Sequence, residues 1–356
     1  MSPQPLRTSI QIGNAYYDGA PFEDTVAITT AADSLGVDFA WSAEAWGMET
    51  IAPLAYLAAV TDNIKLGTGI MQISARVPAM TAMTSLTMAM ISNDRFCLGL
   101  GVSGPQVVEG LHGAAFAKPL GRLREYTEIV RMAIDGERIV YDGQHYELPR
   151  PGGEGKALKL GCPPKPDLPI YLATLGPKSL EFTGEAGNGW LGTSFIPEHA
   201  NIFFDPIAAG AERVGRSLAD IDLQVGGAFE VSGDIDGLIE RYRPSMAFVL
   251  GAMGSAKTNF YNAAYSRAGY ADAAAEVQSL WVGGDKTAAT AAVPDEMVLA
   301  ANLIGDEGMV SDRIRAYQEA GVNTLRLGVT GKTVADRISN LEQAVGLVAD
   351  ATTPGR

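Results

Sequence analysis

Eight short apolar segments alternate with helix-patterned stretches along this chain, and that alternation constrains the fold more than any other feature. Strand patterns fall at about 9–13, 38–42, 63–69, 96–101, 169–173, 189–193, 222–231 and 323–329. Helix patterns lie between most of them, at about 23–35, 50–60 and 78–90 in the first third. The second of these places Ile51, Leu54, Ala55 and Ala58 on one face. The third spaces Ala79, Ala82, Met83, Leu86 and Met90 at i, i+3, i+4, i+7 and i+11, which predicts a packed core face. Strands separated by helices call for a parallel sheet, and eight of them favour a closed α/β (β/α)8 barrel over an open sheet.

The rhythm breaks twice. Residues 139–148, IVYDGQHYEL, read as a hairpin with Asp142-Gly143 in a two-residue turn. A Pro/Gly-rich loop continues to about 168, long enough to be a functional cover. A second, mostly helical stretch occupies about 236–306. The expected organisation is one barrel domain over 1–356, with 139–168 and 236–306 as insertions after the fourth and seventh strands.

The stretch FCLGLGVSGPQVVEG contains a literal G-x-G-x-x-G at Gly99, Gly101 and Gly104. A dinucleotide-binding fingerprint of this kind belongs on the first strand and needs an acidic residue about 20 positions on. Here three strand patterns precede it, and Pro105 and an Arg-rich helix come after it. The glycines therefore point to a phosphate-approaching loop in a different architecture.

Composition narrows the function classes. A net charge of −14 with no Lys/Arg block argues against nucleic acid and anionic membrane surfaces as partners. Two cysteines, Cys97 and Cys162, supply neither a disulfide framework nor metal spacing. His112, His145 and His199 stand apart, without a zinc pattern or a Ser-His-Asp order. The opening residues lack an apolar h-region, and nowhere do 18 apolar residues run together, so the expected setting is cytoplasmic.

A second anion candidate lies after the fifth strand. Gly176-Pro177-Lys178 puts proline at the first helical position, with backbone amides behind it and a lysine beside it. Both candidates end strands, the face that carries chemistry in such barrels. Glu44 ends the second strand, either as a site carboxylate or as an acid suited to a helix start. Trp46 either walls a cavity or closes the core.

Several blocks, in order over essentially the whole chain, resemble the bacterial luciferase-like superfamily and within it the oxidoreductases that use the deazaflavin coenzyme F420. They are LGTGIMQISARVPAMTAMT (66–84), DRFCLGLGVSGPQVVEGLHG (94–113), KPLGRLREY (118–126), PIYLATLGPKSLEFTGEAGNGW (169–190), RPSMAFVLGAMGSAKTNFYN (243–262) and VPDEMV (293–298). The resemblance implies the same barrel, hydride transfer at the deazaflavin C5, a small-molecule substrate and a homodimer. It implies a non-prolyl cis peptide at Gly69-Ile70 behind the cofactor ring, and Glu44 in contact with that ring. Cofactor contacts are expected at Thr68, Gly69 and Ile70, at Gly101, Ser103 and Gly104, at Ala173, Thr174, Leu175, Gly176, Pro177 and Lys178, and at Thr193. Glu44, Trp46 and His112 are the catalytic candidates.

Four positions depart from the family. Ala45 stands where the sugar-phosphate dehydrogenases carry a histidine, which argues against that reaction. Leu111 replaces a common aromatic, Asn188 a usual Asp, and Ala252 a glycine. Two other readings stay open on the sequence: a flavin mononucleotide (FMN)-dependent monooxygenase of the same superfamily, and a non-catalytic cofactor-binding or interaction protein.

Overall fold

The computed structural model describes residues 5–12, 19–254 and 258–352. Gly13, expected to close the first strand, lies outside them. The strands are β1 (Arg7–Ile12), β2 (Phe39–Ser42), β3 (Lys65–Thr68), β4 (Met71–Gln72), β5 (Phe96–Gly101), β6 (Tyr141–Asp142), β7 (Glu147–Leu148), β8 (Ile170–Leu172), β9 (Gly189–Leu191), β10 (Asp222–Val231), β11 (Leu303–Gly305) and β12 (Thr324–Gly328).

Eight of them close a parallel barrel in the order β1, β2, β3, β5, β8, β9, β10, β12 and back to β1. Each is one of the eight patterns that the alternation predicts. Every residue of β5 is buried, as a parallel strand covered on both sides requires. β4 and β11 have no counterpart in the predicted set. β4 resumes pairing with β5 just past β3, and β11 lies along the far end of β10. Both are two or three residues long, too short to leave a periodic signal.

Alternation sorts the side chains into two layers. Ile10, Leu66, Leu98 and Leu325 point outward and pack under the helices in the main core. Phe39, Trp41, Cys97, Tyr171 and Leu191 fill the barrel interior. Trp41 fits because Gly67 has no side chain: a Cβ there would lie 2.2 Å from the indole ring. A third cluster, around Leu238, Ala247, Leu250, Val277, Met297 and Val298, belongs to the helices between β10 and β12.

Two local expectations need correction. In the helix Pro78–Ile91, Ala82 and Leu86 are buried, but Met83 and Met90 are exposed, as are Met80 and Ile91. The core-facing stripe instead runs through Thr81, Ser85, Met88 and Ala89, mostly small or polar positions that a hydrophobic period does not weigh. The hairpin β6–β7 pairs Asp142 with Glu147, so its loop holds four residues and not two. The Glu125 carboxylate accepts N–H bonds from Gln144, His145 and Tyr146 at 2.9, 2.8 and 3.0 Å, which fixes that wider loop. Among the described residues no helix is long and apolar enough to cross a membrane.

Candidate functional site

The C-terminal ends of the strands surround a cavity of about 620 Å3. Its floor is Trp41, held from below by a chain of polar contacts. The indole Nε1 donates to Gln224 Oε1 at 2.9 Å, and Gln224 Nε2 donates to Asp222 Oδ2 at 2.8 Å. Asp222 also accepts from Tyr171, Thr324 and Arg7, at 2.9, 3.0 and 2.6 Å. Burial, with Asp222 beside it, pushes the Tyr171 hydroxyl well above its ordinary range, so it remains a donor.

One wall is the strand end at Gly69 and Ile70. The peptide between them is cis, as the resemblance implied. Ile70 leans over Gly101, where a Cβ would lie 2.9 Å from Ile70 Cγ1. The fingerprint glycines therefore divide. Gly99 lies against the Thr68 carbonyl and Gly101 beneath Ile70, both inside the barrel, whereas only Gly104 has open space before it. Between them Ser103 adopts a left-handed backbone (φ 58°) on the cavity wall. A non-glycine residue held there costs free energy, and such positions concentrate at functional sites.

Glu44 lines the cavity, but its carboxylate already has partners. Oε1 pairs with Arg76 at 2.6 Å, and Oε2 accepts the Gln72 N–H at 3.1 Å. The Glu44 N–H donates to the Ile70 carbonyl at 3.0 Å. Glu44 thus ties the end of β2 to the Gly69-Ile70 segment and to β4. Both carboxylate oxygens are engaged, Oε1 by the Arg76 guanidinium and Oε2 by a backbone N–H.

The other expected residues separate into two groups. Trp46, Gly69, Ile70, Ser103, Gly104, Ala173 and Thr193 line the cavity with Glu44. Thr68, Gly101, Thr174, Leu175, Gly176, Pro177 and Lys178 do not. Thr68 exchanges hydrogen bonds with Gly99, and Thr174 pairs with Thr183 at 2.7 Å while its carbonyl accepts from Trp190. His112 is exposed and does not itself line the cavity, although its N–H donates to the carbonyl of the lining residue Val107 at 3.0 Å. Leu111 is exposed beside it, so its departure from the family does not reshape the cavity. Asn188 holds the barrel together, accepting from the Ile170 N–H and from Arg131 at 2.9 and 3.0 Å.

Gly176, Pro177 and Lys178 form a neighbouring feature. The helix Pro177–Ala186 begins with no side-chain cap, and Pro177 and Lys178 are exposed. Arg267, 92 positions away, donates to the Leu175 carbonyl at 2.6 Å, and among the described residues its buried Nε has no hydrogen-bond partner. Burial lowers its pKa from the ordinary guanidinium range. No local pattern could have linked Arg267 to this loop, because the inter-strand helices bring it there. Gln106 similarly reaches across the mouth to the Gly254 carbonyl.

Comparison with known proteins matches this architecture. The family model for luciferase-like monooxygenases covers residues 6–324. A Mycobacterium tuberculosis protein assigned as a putative coenzyme F420-dependent oxidoreductase is 37% identical over 328 residues, 90% of this chain and 94% of that protein. The 5,10-methylenetetrahydromethanopterin reductase of Archaeoglobus fulgidus is 29% identical over 298 residues, 83% of this chain and 86% of that one. Among solved structures, the coenzyme F420-dependent tetrahydromethanopterin reductase of Methanopyrus kandleri superposes with a TM-score of 0.78 at 23% identity, over 96% of this chain and 98% of that one. An eight-stranded parallel barrel and a family match over nearly the whole length lead to one placement: the chain belongs to the bacterial luciferase-like family.

Proposed function

We propose that this protein is an oxidoreductase that uses the deazaflavin coenzyme F420 to move a hydride to or from a small organic substrate. The observation that carries the reading is the cavity of about 620 Å3 at the strand ends, walled by Ile70 and Ala173 and floored by Trp41. Its apolar wall suits a planar ring, and the Arg267 Nε, without a partner among the described residues, beside an uncapped helix start suits an anionic tail. The relatives named for F420 support the choice of cofactor.

When bound, the deazaflavin supplies the hydride chemistry at its C5. The chain supplies position and exclusion. Ile70, Ala173 and Trp41 would hold the ring, and Ser103 with Gly104 offers close backbone approach. Gly176, Lys178 and Arg267 would take the phosphodiester. Trp46, Met48 and Phe248 at the rim keep water from the reacting face. Glu44 keeps Ile70 in place through Arg76 and Gln72.

We read the chain as one barrel domain in a cytoplasmic setting, with residues 139–168 and 236–306 as insertions. It forms a homodimer through the exposed apolar face of Met80, Met83, Met90 and Ile91. Light scattering on Met83→Glu checks that face: a monomer is expected, and an unchanged dimer moves the interface elsewhere.

Titration with F420 and with FMN, monitored by fluorescence quenching, tests the function. Saturable F420 binding with no FMN response is expected. The reverse pattern establishes the monooxygenase reading, and binding of neither overturns both.

A further inference from the structure

We propose that Arg326 recognises an anionic group, a carboxylate or a phosphate monoester, on the small-molecule substrate. The word substrate rests on the oxidoreductase reading above; the anion site itself does not.

Arg326 sits in the middle of β12, between Leu325 and Leu327, which face the outer core. Alternation therefore turns it into the barrel, in register with Ser9 of β1 and Gly226 of β10. There it borders two adjoining cavities, the one of about 620 Å3 described above and a second of about 490 Å3. Gln11 and Thr193 line both as well. Arg326 is thus shared by the two cavities.

What distinguishes Arg326 is what it lacks. Among the described residues its side chain makes no ion pair and no hydrogen bond. Arg7, on the neighbouring strand, pairs with Asp222 at 2.6 Å. Among the described residues no Asp or Glu lines the smaller cavity, and the larger has only Glu44, which is committed to Arg76. The smaller cavity is also bordered by Arg337, whose Nε donates to the Gly331 carbonyl at 3.0 Å. In a chain of net charge −14, a cavity with two arginines and no acid is a selective arrangement.

Physical chemistry supplies the next step. Removing a guanidinium from bulk water without a counter-charge is costly, and arginine does not escape the cost by losing its proton. Burial does lower its pKa, with only the hydroxyls of Tyr317 and Tyr261 nearby to offset it. An arginine kept in this state spends stability, which is characteristic of a binding residue whose partner comes from solution. Its flat fork matches a carboxylate or a phosphate.

The test uses the full chain without cofactor, in a buffer of neutral zwitterions. Calorimetric titration is made with inorganic phosphate and, separately, with glutarate, so that the two anion chemistries are told apart. At least one should bind the wild type. Arg326→Gln should weaken that binding about tenfold or more, as loss of a charge-assisted contact does, and Arg326→Lys should restore most of it. Arg326→Met should unfold at a higher temperature than wild type in the absence of anion, where an arginine serving only the fold would give a lower one. F420 affinity of Arg326→Gln should fall by less than its anion binding does, since the cofactor contacts in the reading above rest on Ile70, Ala173 and the Gly176–Lys178 loop.

Binding of neither probe, equal binding by Arg326→Gln, or loss confined to Arg337→Gln would overturn the proposal. So would a large fall in F420 affinity in Arg326→Gln, which would assign the charge to the cofactor. Failure of the wild type to bind F420 would sink the oxidoreductase reading and leave the anion result standing.

Discussion

Replacing Gln224 by leucine tests whether the polar chain under the cavity holds its floor. Gln224 is 1% exposed and makes two bonds, accepting from Trp41 and donating to Asp222. Leucine has a similar reach and no polar atom. The substitution leaves the buried indole N–H without an acceptor, at about 1–3 kcal/mol, and takes one donor from a carboxylate that keeps three others. Leucine's added apolar burial offsets part of this, on the order of 1 kcal/mol. The net loss is then about 2–3 kcal/mol, once the donor taken from Asp222 is counted. With an unfolding entropy of about 2.1 cal/mol/K per residue, a chain of 356 residues should melt roughly 3–4 °C lower. Scanning calorimetry reads the shift, and near-UV circular dichroism reads the packing of Trp41 against Phe39 and Tyr171, whose rings lie 5.6 and 5.0 Å away. Trp41→Phe, alone and combined with Gln224→Leu, completes a cycle, with a coupling of about 1 kcal/mol or more expected between contacting groups. A Gln224→Leu protein that melts within about 1 °C of wild type, with no coupling, would refute the reasoning.

Lys178→Ala should weaken cofactor binding by about 1–2 kcal/mol with the melting temperature unchanged, because its side chain is exposed. Gly176→Val should weaken it further by obstructing backbone approach; unchanged affinity across a salt series in both variants would place the phosphate elsewhere. Asp33 gives a pH prediction. Burial works against its charge, but the N–H groups of Asp62, Ile64 and Asn63 outweigh it and hold the carboxyl below its usual 3.8. A depressed folded-state pKa contributes stability that is present above the unfolded value and lost as pH falls through the folded one. Asp33→Asn should therefore melt lower than wild type at pH 7 and converge with it under acid; a constant difference from about pH 7 to about pH 3 would contradict this.

The barrel was legible because its eight strands are buried on both faces and so leave apolar runs spaced by helices. The Gly69-Ile70 segment, Ser103 and Ala173 were legible through resemblance, since they lie within continuous blocks. The residues that sequence reasoning missed share a different cause. Arg267 reaches Leu175 across 92 positions, and Arg326 is defined by the side-chain partners it lacks among the described residues, which only three-dimensional neighbours can reveal. Gln224 looked like one polar residue in a strand until Trp41 was placed above it. His112 lies next to the glycine loop in sequence, but its exposed side chain is not among those that line the cavity. The methionines of the helix Pro78–Ile91 misled because a hydrophobic period cannot tell a face that meets the barrel from one that meets solvent.

The helices between β10 and β12 carry their own packed cluster, built on Leu250, Val277 and Met297 and separate from the layer that stabilises the barrel. Phe248, Val249, Phe260 and Tyr261 of the same stretch face the cavity. Mutations that reshape this roof therefore draw on a different reserve of stability from those that would damage the cofactor wall. Lineages of this architecture can exchange what they admit while the machinery beneath stays intact, much as a lock keeps its bolt when its cylinder is changed.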